Sequence, residues 1–385
     1  MSRPTLLRRI PLLLLLAHLY VLVRLIEPAL GTRVQWVVPV VIAALYALIL
    51  AGFLARRQAG RLSGDVLSWS GFLALGCFSW LFVLTLLRDA VLFLLMVGSA
   101  ITPSLKEATN HAPAITALAV PILTMLAVLL GLFNARRMPR LVDVDVPIPD
   151  LPDSLHDFTI AQISDLHVGS TIKRPYVRRV VDAVNRLKPD IITLTGDLVD
   201  GSVALLASDV APLSGLQAKE GVYAVTGNHE YYSGAGAWVA EYRRLGMDVL
   251  MNQHRVIHRG GALLVVAGVT DFTAERFDSR QACNPVAALR AAPREAAARI
   301  LLAHQPRTAA DAAKAGFDLQ LSGHTHGGQF WPWPYFVSLQ QPYVAGLHRL
   351  DKLLIYVSRG TGYWGPPMRL GARSEITRLR LRRQA

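Results

Sequence analysis

The sequence predicts two parts: a bundle of four transmembrane helices, then a layered α/β domain with a mixed sheet or a pair of sheets. Three observations predict it. Apolar residues make up 52% of the 385, against 17% charged, and they are densest before residue 135. From about Phe158 onward, strand-like runs alternate with helix-like ones. Five of those strand-like runs end in loops that carry His, Asp or Asn, the residue types that bind metals. The expected boundaries are a transmembrane domain over 1–135, a linker over 136–156 and an α/β domain over 157–385.

Four apolar stretches open the chain: Ile10–Ile26, Val34–Ala55, Val66–Leu87 and Ala112–Phe133. Each is near the ~20 residues a helix needs to cross the hydrocarbon core. The first resembles a signal peptide, with Arg8 and Arg9 before a Leu-rich run, but it has no small-residue cleavage site and another span follows at once. It reads as a retained helix. With four spans, Arg3, Arg8, Arg9, Arg56, Arg57, Arg61, Arg136, Arg137 and Arg140 fall on one side, and Arg24, Arg33, Arg88 and Lys106 on the other. The positive-inside rule then puts both chain ends, and the α/β domain, in the cytoplasm.

Of the net charge of +13, +9 lies at or before Arg140. The basic excess therefore belongs to the flanks of apolar segments and suits a membrane surface. No basic stripe interleaved with aromatics marks a nucleic-acid groove, so the expected partner is the lipid bilayer and not nucleic acid. Cys77 sits in an apolar run and Cys283 in the α/β half, so no disulfide is expected. Arg88-Asp89 interrupts the third apolar run, and reads either as an interfacial stop or as a lipid-headgroup site. Val91–Ile101 beyond it extends the helix or lies along the interface. His18 and His111 read as structural.

Arg136 to Pro152 is basic, then rich in Pro and Asp, as in an exposed connection. The expected strands are Phe158–Ser164, Ile191–Thr195, Val222–Thr226, Leu263–Val269, Ile300–Ala303, Leu319–Ser322, Leu353–Ser358 and Glu375–Leu381. The expected helices are Tyr176–Leu187, Val203–Leu213, Ala237–Leu245 and Thr308–Ala315.

The chemistry lies at the strand ends. The first strand runs into Asp165-Leu-His167, the second into Gly196-Asp197-Leu-Val-Asp200, and the third into Gly227-Asn228-His229-Glu230. Two later strands run into His304 and into Gly323-His324-Thr325-His326. Side chains so placed point into the crevice at the carboxyl ends of a sheet, where ligands bind. Gly-Asp-x-x-Asp alone reads as a turn with a helix cap, and a lone His as a satisfied loop residue. Five converging loops do not.

This order of motifs, D-x-H, G-D-x-x-D, G-N-H-E, H and G-H-x-H, resembles the calcineurin-like metallophosphoesterase superfamily, and within it the YkuE-type branch of membrane-associated bacterial phosphoesterases. The stretch from Tyr356 to Arg369 is similar to that branch as well. The resemblance runs from about Asp157 to the end and does not extend to the apolar half. It implies a four-layer αββα sandwich holding two divalent metal ions, in a multi-pass protein of a bacterial plasma membrane. Carried over by motif, Asp165, His167 and His326 hold the first metal, Asn228, His304 and His324 the second, and Asp197 bridges them. Imidazole and carboxylate ligands without a thiolate suit Mn²⁺, Zn²⁺ or iron. Two such ions, ~3.5–4 Å apart, polarise a phosphoryl group and acidify a bridging water, whose hydroxide attacks phosphorus in line. The resemblance makes His229 the residue that assists the leaving group and Asp200 its orienter, unless Asp200 caps the helix that follows. Glu230 reads as a supporting residue.

One departure bears on the substrate. The superfamily's Ser/Thr phosphatases have an Arg after the second Asp, where Gly201 stands here. This points away from phosphoproteins and toward a phosphodiester or pyrophosphate. The aromatic, Pro-rich run from Gly327 to Phe336, with Trp331 and Trp333, reads either as a self-packed loop or as a surface that grips an acyl chain. Tyr363-Trp364 would join it. Arg359 and Arg369 pair either with a substrate phosphate or with nearby carboxylates. The expected substrate is lipid-linked, with UDP-diacylglucosamine a candidate because enzymes resembling this family hydrolyse it. The competing readings are a membrane sensor or scaffold that binds without turnover and, more remotely, a transporter regulated by the domain.

Overall fold

The computed structural model describes residues 3–55 and 62–384. Arg56, Arg57 and Arg61, used above to argue orientation, lie outside them. The chain divides into two compact units, one of Met1–Phe133 with Gly365–Met368, the other of Asn134–Trp364 with Arg369–Ala385.

The first unit contains α1 (Arg3–Ile26), α2 (Val37–Ala55), α3 (Leu62–Ile101) and most of α4 (Lys106–Arg136). Among the described residues, four segments are long and apolar enough to cross a membrane: Ile10–Ala29, Arg33–Ala55, Ser63–Ile101 and Pro103–Arg136. In the third, the helix continues through Arg88-Asp89 without a break, which is the extension reading of Val91–Ile101. The reason is that the charges are partnered. Arg24 grips Asp89 with two hydrogen bonds of 2.7 and 2.9 Å, the Tyr20 hydroxyl donates to the same carboxylate at 2.7 Å, and Arg88 donates to Asp89 and to the Pro113 carbonyl. A neutralised pair costs far less to keep in a helix than a bare one. His18 is held by the Leu14 carbonyl and stacks on Phe78 at 3.5 Å, a structural role.

The second unit is built on two six-stranded sheets. One has the order β1-β12-β2-β3-β4-β5, with β1 (Arg140–Ile148), β2 (Thr159–Ile163), β3 (Ile191–Leu194), β4 (Val222–Ala224), β5 (Asp248–Val249) and β12 (Glu375–Arg383). The other has the order β10-β11-β9-β8-β7-β6, with β6 (Gln253–Arg259), β7 (Ala262–Gly268), β8 (Ala298–Leu302), β9 (Leu319–Ser322), β10 (Gly346–Leu350) and β11 (Leu353–Val357). β2 to β5 run parallel, as do β7, β8, β9 and β11. Parallel strands need both faces covered, which explains their nearly continuous apolar runs. In β3, Ile191 faces the core between the sheets while Ile192 and Leu194 face the outer helices.

Helices α5 (Arg174–Asn185), α6 (Val203–Val210) and α8 (Ala235–Arg244) cover the outside of the first sheet, and α9 (Pro285–Ala288) with α10 (Ala309–Ala315) covers the second. In α5, Val177, Val180, Val181 and Val184 recur at helical spacing and are buried against the sheet. Each contributes roughly 1.5–2 kcal/mol by burial, so a charge at Val180 would unseat the helix. The architecture is the four-layer αββα sandwich.

One expectation is corrected. Arg140–Ile148, placed in an exposed linker, is the edge strand β1, parallel to β12 in the register Arg140↔Glu375. Val146 and Ile148 are buried in the inter-sheet core, and the intervening acids pair across the edge, Asp143 with Arg378 at 2.6 Å and Asp145 with Arg380 at 2.8 Å. The Asp residues that suggested solvent are the outward half of a period-two strand.

Candidate metal centre

Five of the seven candidate ligands leave their strands on a backbone that few side chains tolerate. Asp165, His167, Asp197, His324 and His326 all have positive φ, between 51° and 71°. Such residues gather where function demands their geometry. The glycines beside them are required by contact. A β-carbon at Gly227 would lie 2.2 Å from Asp197 Oδ1, and one at Gly323 would lie 2.1 Å from Asp165 Oδ2.

The loops converge on one buried cluster. Ligand atoms of Asp165, His167 and His326 lie within 4.8 Å of one another, and so do those of Asp197, His304 and His324. Within the clusters, His167 Nε2 faces His326 Nε2 at 3.0 Å, and His304 Nε2 faces His324 Nδ1 at 3.2 Å. Ring nitrogens aimed at each other are the arrangement that a cation between them would satisfy. His304 Nε2 is also 3.1 Å from Asp197 Oδ2, while its Nδ1 is tied to the Thr195 carbonyl at 2.8 Å. Asn228, the one neutral amide among the candidates, is buried and its Oδ1 has no hydrogen-bond partner. The next residue, His229, bonds Asp197 through its backbone N–H, and a buried amide oxygen left without a partner there fits a metal ligand. The donor set is therefore suited to a pair of divalent cations.

Charge within the site is strongly ordered. Burial pushes the Asp197 carboxyl up, but the His304, His229 and His167 rings outweigh it and hold the group well below the usual range. Burial is the main influence on His324, with a smaller push from His304, and lowers it to about 3. Burial, with Arg369 and His167, lowers His326 too. Both are thereby neutral imidazoles, the form that coordinates a metal. His229 goes the other way: burial alone would lower it, and Asp197 and Asp200 raise it to about 9.

His229 stands at the edge of the cluster, with Nε2 3.9 Å from Asp197 Oδ2 and its backbone N–H donating to Asp197 Oδ1 at 2.8 Å. Asp200 Oδ1 bonds His229 Nδ1 at 2.5 Å and also His167 Nδ1 at 3.0 Å. One carboxylate thus orients two rings, where the sequence suggested one. The helix-cap alternative is not what the geometry shows, since the cap position of α6 is Ser202, with no side-chain cap. Glu230 is a brace: its carboxylate accepts from the Asp197, Leu198 and Gly227 N–H groups and from the Tyr242 hydroxyl.

The substrate residues fare differently. Arg369 is fully buried and donates to the Gly362, His326 and Ala372 carbonyls, with Nη2 3.0 Å from His326 Nδ1. It supports the His326 loop and does not reach a substrate phosphate. Arg359 pairs with the buried Glu375 at 3.3 Å. Trp333 is exposed and packs on Phe336, Trp331 is half-buried, and Tyr363 is buried. The aromatic that does reach the centre is Trp364, 5.8 Å from the His229 ring, with its backbone clamped by the Gln329 amide. Sequence reasoning missed its partners: exposed Tyr232 is 5.3 Å from His229, and exposed Phe277 is 5.7 Å from Tyr232. Tyr232 follows His229 closely enough to have been considered; Phe277 arrives from a distant loop with no local signal.

Two sheets packed face to face, with a buried His/Asp cluster at their strand ends, define a metallophosphoesterase domain. A model of the calcineurin-like phosphoesterase family matches residues 158–328. A zebrafish (Danio rerio) transmembrane protein with metallophosphoesterase domain is 32% identical over 96% of this chain and 87% of its own length. A cattle (Bos taurus) protein of the same description is 39% identical over 68% of this chain and 61% of its own, so the chain spans less than two thirds of that relative. An uncharacterized metallophosphoesterase of Campylobacter jejuni is 34% identical over 69% of each. The chain belongs to the calcineurin-like phosphoesterase family.

Proposed function

We propose that this protein is a membrane-anchored phosphoesterase of the YkuE-type branch, with its domain on the cytoplasmic face of a bacterial plasma membrane, hydrolysing a phosphodiester or pyrophosphate carried on a lipid. The observation that carries the reading is the gathering of two carboxylates and four imidazoles in buried groups, with the unpartnered amide oxygen of Asn228 next in sequence to His229. Asp165, His167 and His326 would hold one ion, Asn228, His304 and His324 the other, and Asp197 would bridge them. When bound, ions of this kind (Mn²⁺, Zn²⁺ or iron) supply Lewis-acid polarisation of the phosphoryl oxygens and a water acidic enough to lose its proton near neutral pH.

The chain's own residues supply the rest. Asp200 fixes the Nδ1–H tautomer of His229, leaving Nε2 as the atom that meets the substrate. A raised affinity for protons lets that ring arrive charged and give its proton to the departing oxygen. Gly201, in place of an Arg, leaves a site without a second cation for a phosphomonoester dianion. The exposed rim of Tyr232, Phe277 and Trp364 around His229 supports a substrate with an apolar part.

The test is metal analysis of the detergent-purified full chain, with hydrolysis of bis(p-nitrophenyl) phosphate and of a lipid pyrophosphate such as UDP-diacylglucosamine. Asp197→Asn should abolish both. Cleavage of the soluble ester with no lipid substrate turned over removes the lipid half of the reading. Absence of hydrolysis with every metal replaces enzyme by scaffold.

A further inference from the structure

A cavity of about 140 Å³ lies within the α/β unit, lined by none of the candidate metal ligands. Its walls include Arg136, Lys173 and Arg179 with Thr171, Tyr176 and Tyr363. Three cations line it, and Lys173 pairs with Asp209 at 3.5 Å. Arg136 and Arg179 are exposed, and both are tied to neighbouring groups of the wall. Arg136 donates to the Thr171 carbonyl at 3.4 Å, and the buried Tyr363 hydroxyl donates to the same oxygen at 3.3 Å. The Tyr176 hydroxyl is fixed on the Thr361 carbonyl at 2.7 Å, and the Arg179 guanidinium rests 5.7 Å from the Tyr176 ring. Arginines steadied in this way are arranged for the oxygens of a phosphate.

Chain connectivity says where the phosphate comes from. Arg136 is the last residue of α4 and ends the apolar span Pro103–Arg136, so this wall of the cavity is the final turn of a helix able to cross the bilayer. Cations and tyrosines at the end of such a helix belong at headgroup depth. The geometry points to a binding site for the phosphate of an anionic phospholipid headgroup, held by Arg136, Lys173 and Arg179 and separate from the hydrolytic centre. One segment of chain borders both this site and that centre. Tyr363 lines the cavity while its neighbour Trp364 lies against His229, and the Thr361 N–H bonds the Ser164 carbonyl beside Asp165.

The experiment uses the full chain in neutral detergent and follows binding of dihexanoyl phosphatidylglycerol, dihexanoyl phosphatidylcholine and inorganic phosphate by titration calorimetry. The expected result is one phosphatidylglycerol site per chain, weakened about 10–30-fold in Arg136→Gln/Arg179→Gln, as loss of two headgroup cations implies. Arg179→Lys should retain most of the affinity. Basal hydrolysis of bis(p-nitrophenyl) phosphate, thermal midpoint and elution volume should be unchanged in the double variant, which separates lost binding from lost folding. Because Asp197→Asn should bind phosphatidylglycerol like the parent, failure of the hydrolase reading would leave this site standing. Equal affinity in the double variant overturns the proposal, and so does phosphatidylcholine binding as tightly as phosphatidylglycerol. Inorganic phosphate binding as tightly as the lipid would make the ligand a soluble anion and overturn the headgroup assignment.

Discussion

Asp200→Asn perturbs the centre with almost no change of shape. In the structure one oxygen, Oδ1, serves two rings, His229 at 2.5 Å and His167 at 3.0 Å. The amide keeps an acceptor there but removes the charge. A hydrogen bond to an ionised group contributes about 1.5–3 kcal/mol and a neutral one about 0.5–1.5, so each ring loses roughly 1–1.5 kcal/mol. Two rings together lose about 2–3 kcal/mol, which at about 1.4 kcal/mol per decade is a fall of some 30- to 150-fold. The loss divides by ring: through His167 it weakens metal affinity, and through His229 it lowers turnover. Steady-state hydrolysis of bis(p-nitrophenyl) phosphate across a Mn²⁺ titration reads both at once. His229→Gln should lower kcat without moving the metal midpoint, and Asp200→Asn should move both. If Asp200→Asn stays within threefold of the parent in kcat and in metal midpoint, the carboxylate orients neither ring and this account of the centre fails.

Gly227→Ala would set a β-carbon 2.2 Å from Asp197 Oδ1 and 2.6 Å from the Asp197 nitrogen, which is backbone and cannot step aside. A displacement of this size at a reacting centre costs on the order of 100-fold in activity, with bound metal per chain falling in elemental analysis. Trp364→Ala should raise KM for a lipid substrate about 5–10-fold while leaving the soluble diester within twofold, since it removes an aromatic contact worth about 1 kcal/mol and no charged group. Asp190 predicts an acid limb of stability. Burial pushes its carboxyl up, but the Thr159 N–H, Arg259, Lys219 and the Thr159 hydroxyl together bring it down to about 2. A folded-state value below the unfolded ~3.9 means stability that is present above about pH 4 and lost as pH falls toward 2, by about 1–2 kcal/mol once partial exposure of the partners is allowed for. Thermal midpoints measured from pH 5 to 2 should show a limb that Asp190→Asn flattens; an equal slope in both proteins would rule Asp190 out as its source.

The parts of this chain that were legible in its sequence are those fixed by local pattern. The core strands β2, β3, β8 and β9 are short apolar runs with punctuation at their ends, and the candidate ligands follow them directly, so motif and placement are one observation. The parts that escaped are set by partners far along the chain. Val142, Val144 and Val146 alternate with Asp143 and Asp145, which is a strand only if Arg378 and Arg380, 235 residues later, lie alongside. Arg88-Asp89 reads as a helix stop until Arg24 and Tyr20, 65 and 69 residues earlier, are seen to neutralise it. An arginine in a motif-rich stretch looks like a phosphate ligand, and only packing distinguishes Arg369, sealed behind His326, from Arg359, which reaches the surface.

Magnitudes show why those hidden partners matter to the centre. Five candidate ligands at positive φ, each costing roughly 1–3 kcal/mol, amount to about 5–15 kcal/mol, as large as the whole stability of an ordinary domain. Such a backbone persists only where neighbours over-determine it. Glu230 does so for Asp197 by accepting three backbone N–H groups on the two loops that meet there, and a Tyr242 hydroxyl besides. The loop that carries His324 and His326 is held at two points, by Asp165 accepting the His324 N–H at 2.9 Å and by Arg369 donating to the His326 carbonyl at 2.8 Å. Bonds to ionised groups contribute about 1.5–3 kcal/mol each, so a handful offsets the strain. The residues that face the centre and those that make its backbone possible are thus two different sets. A motif contains the first; most of the second, buried and charged, is assigned only by the fold.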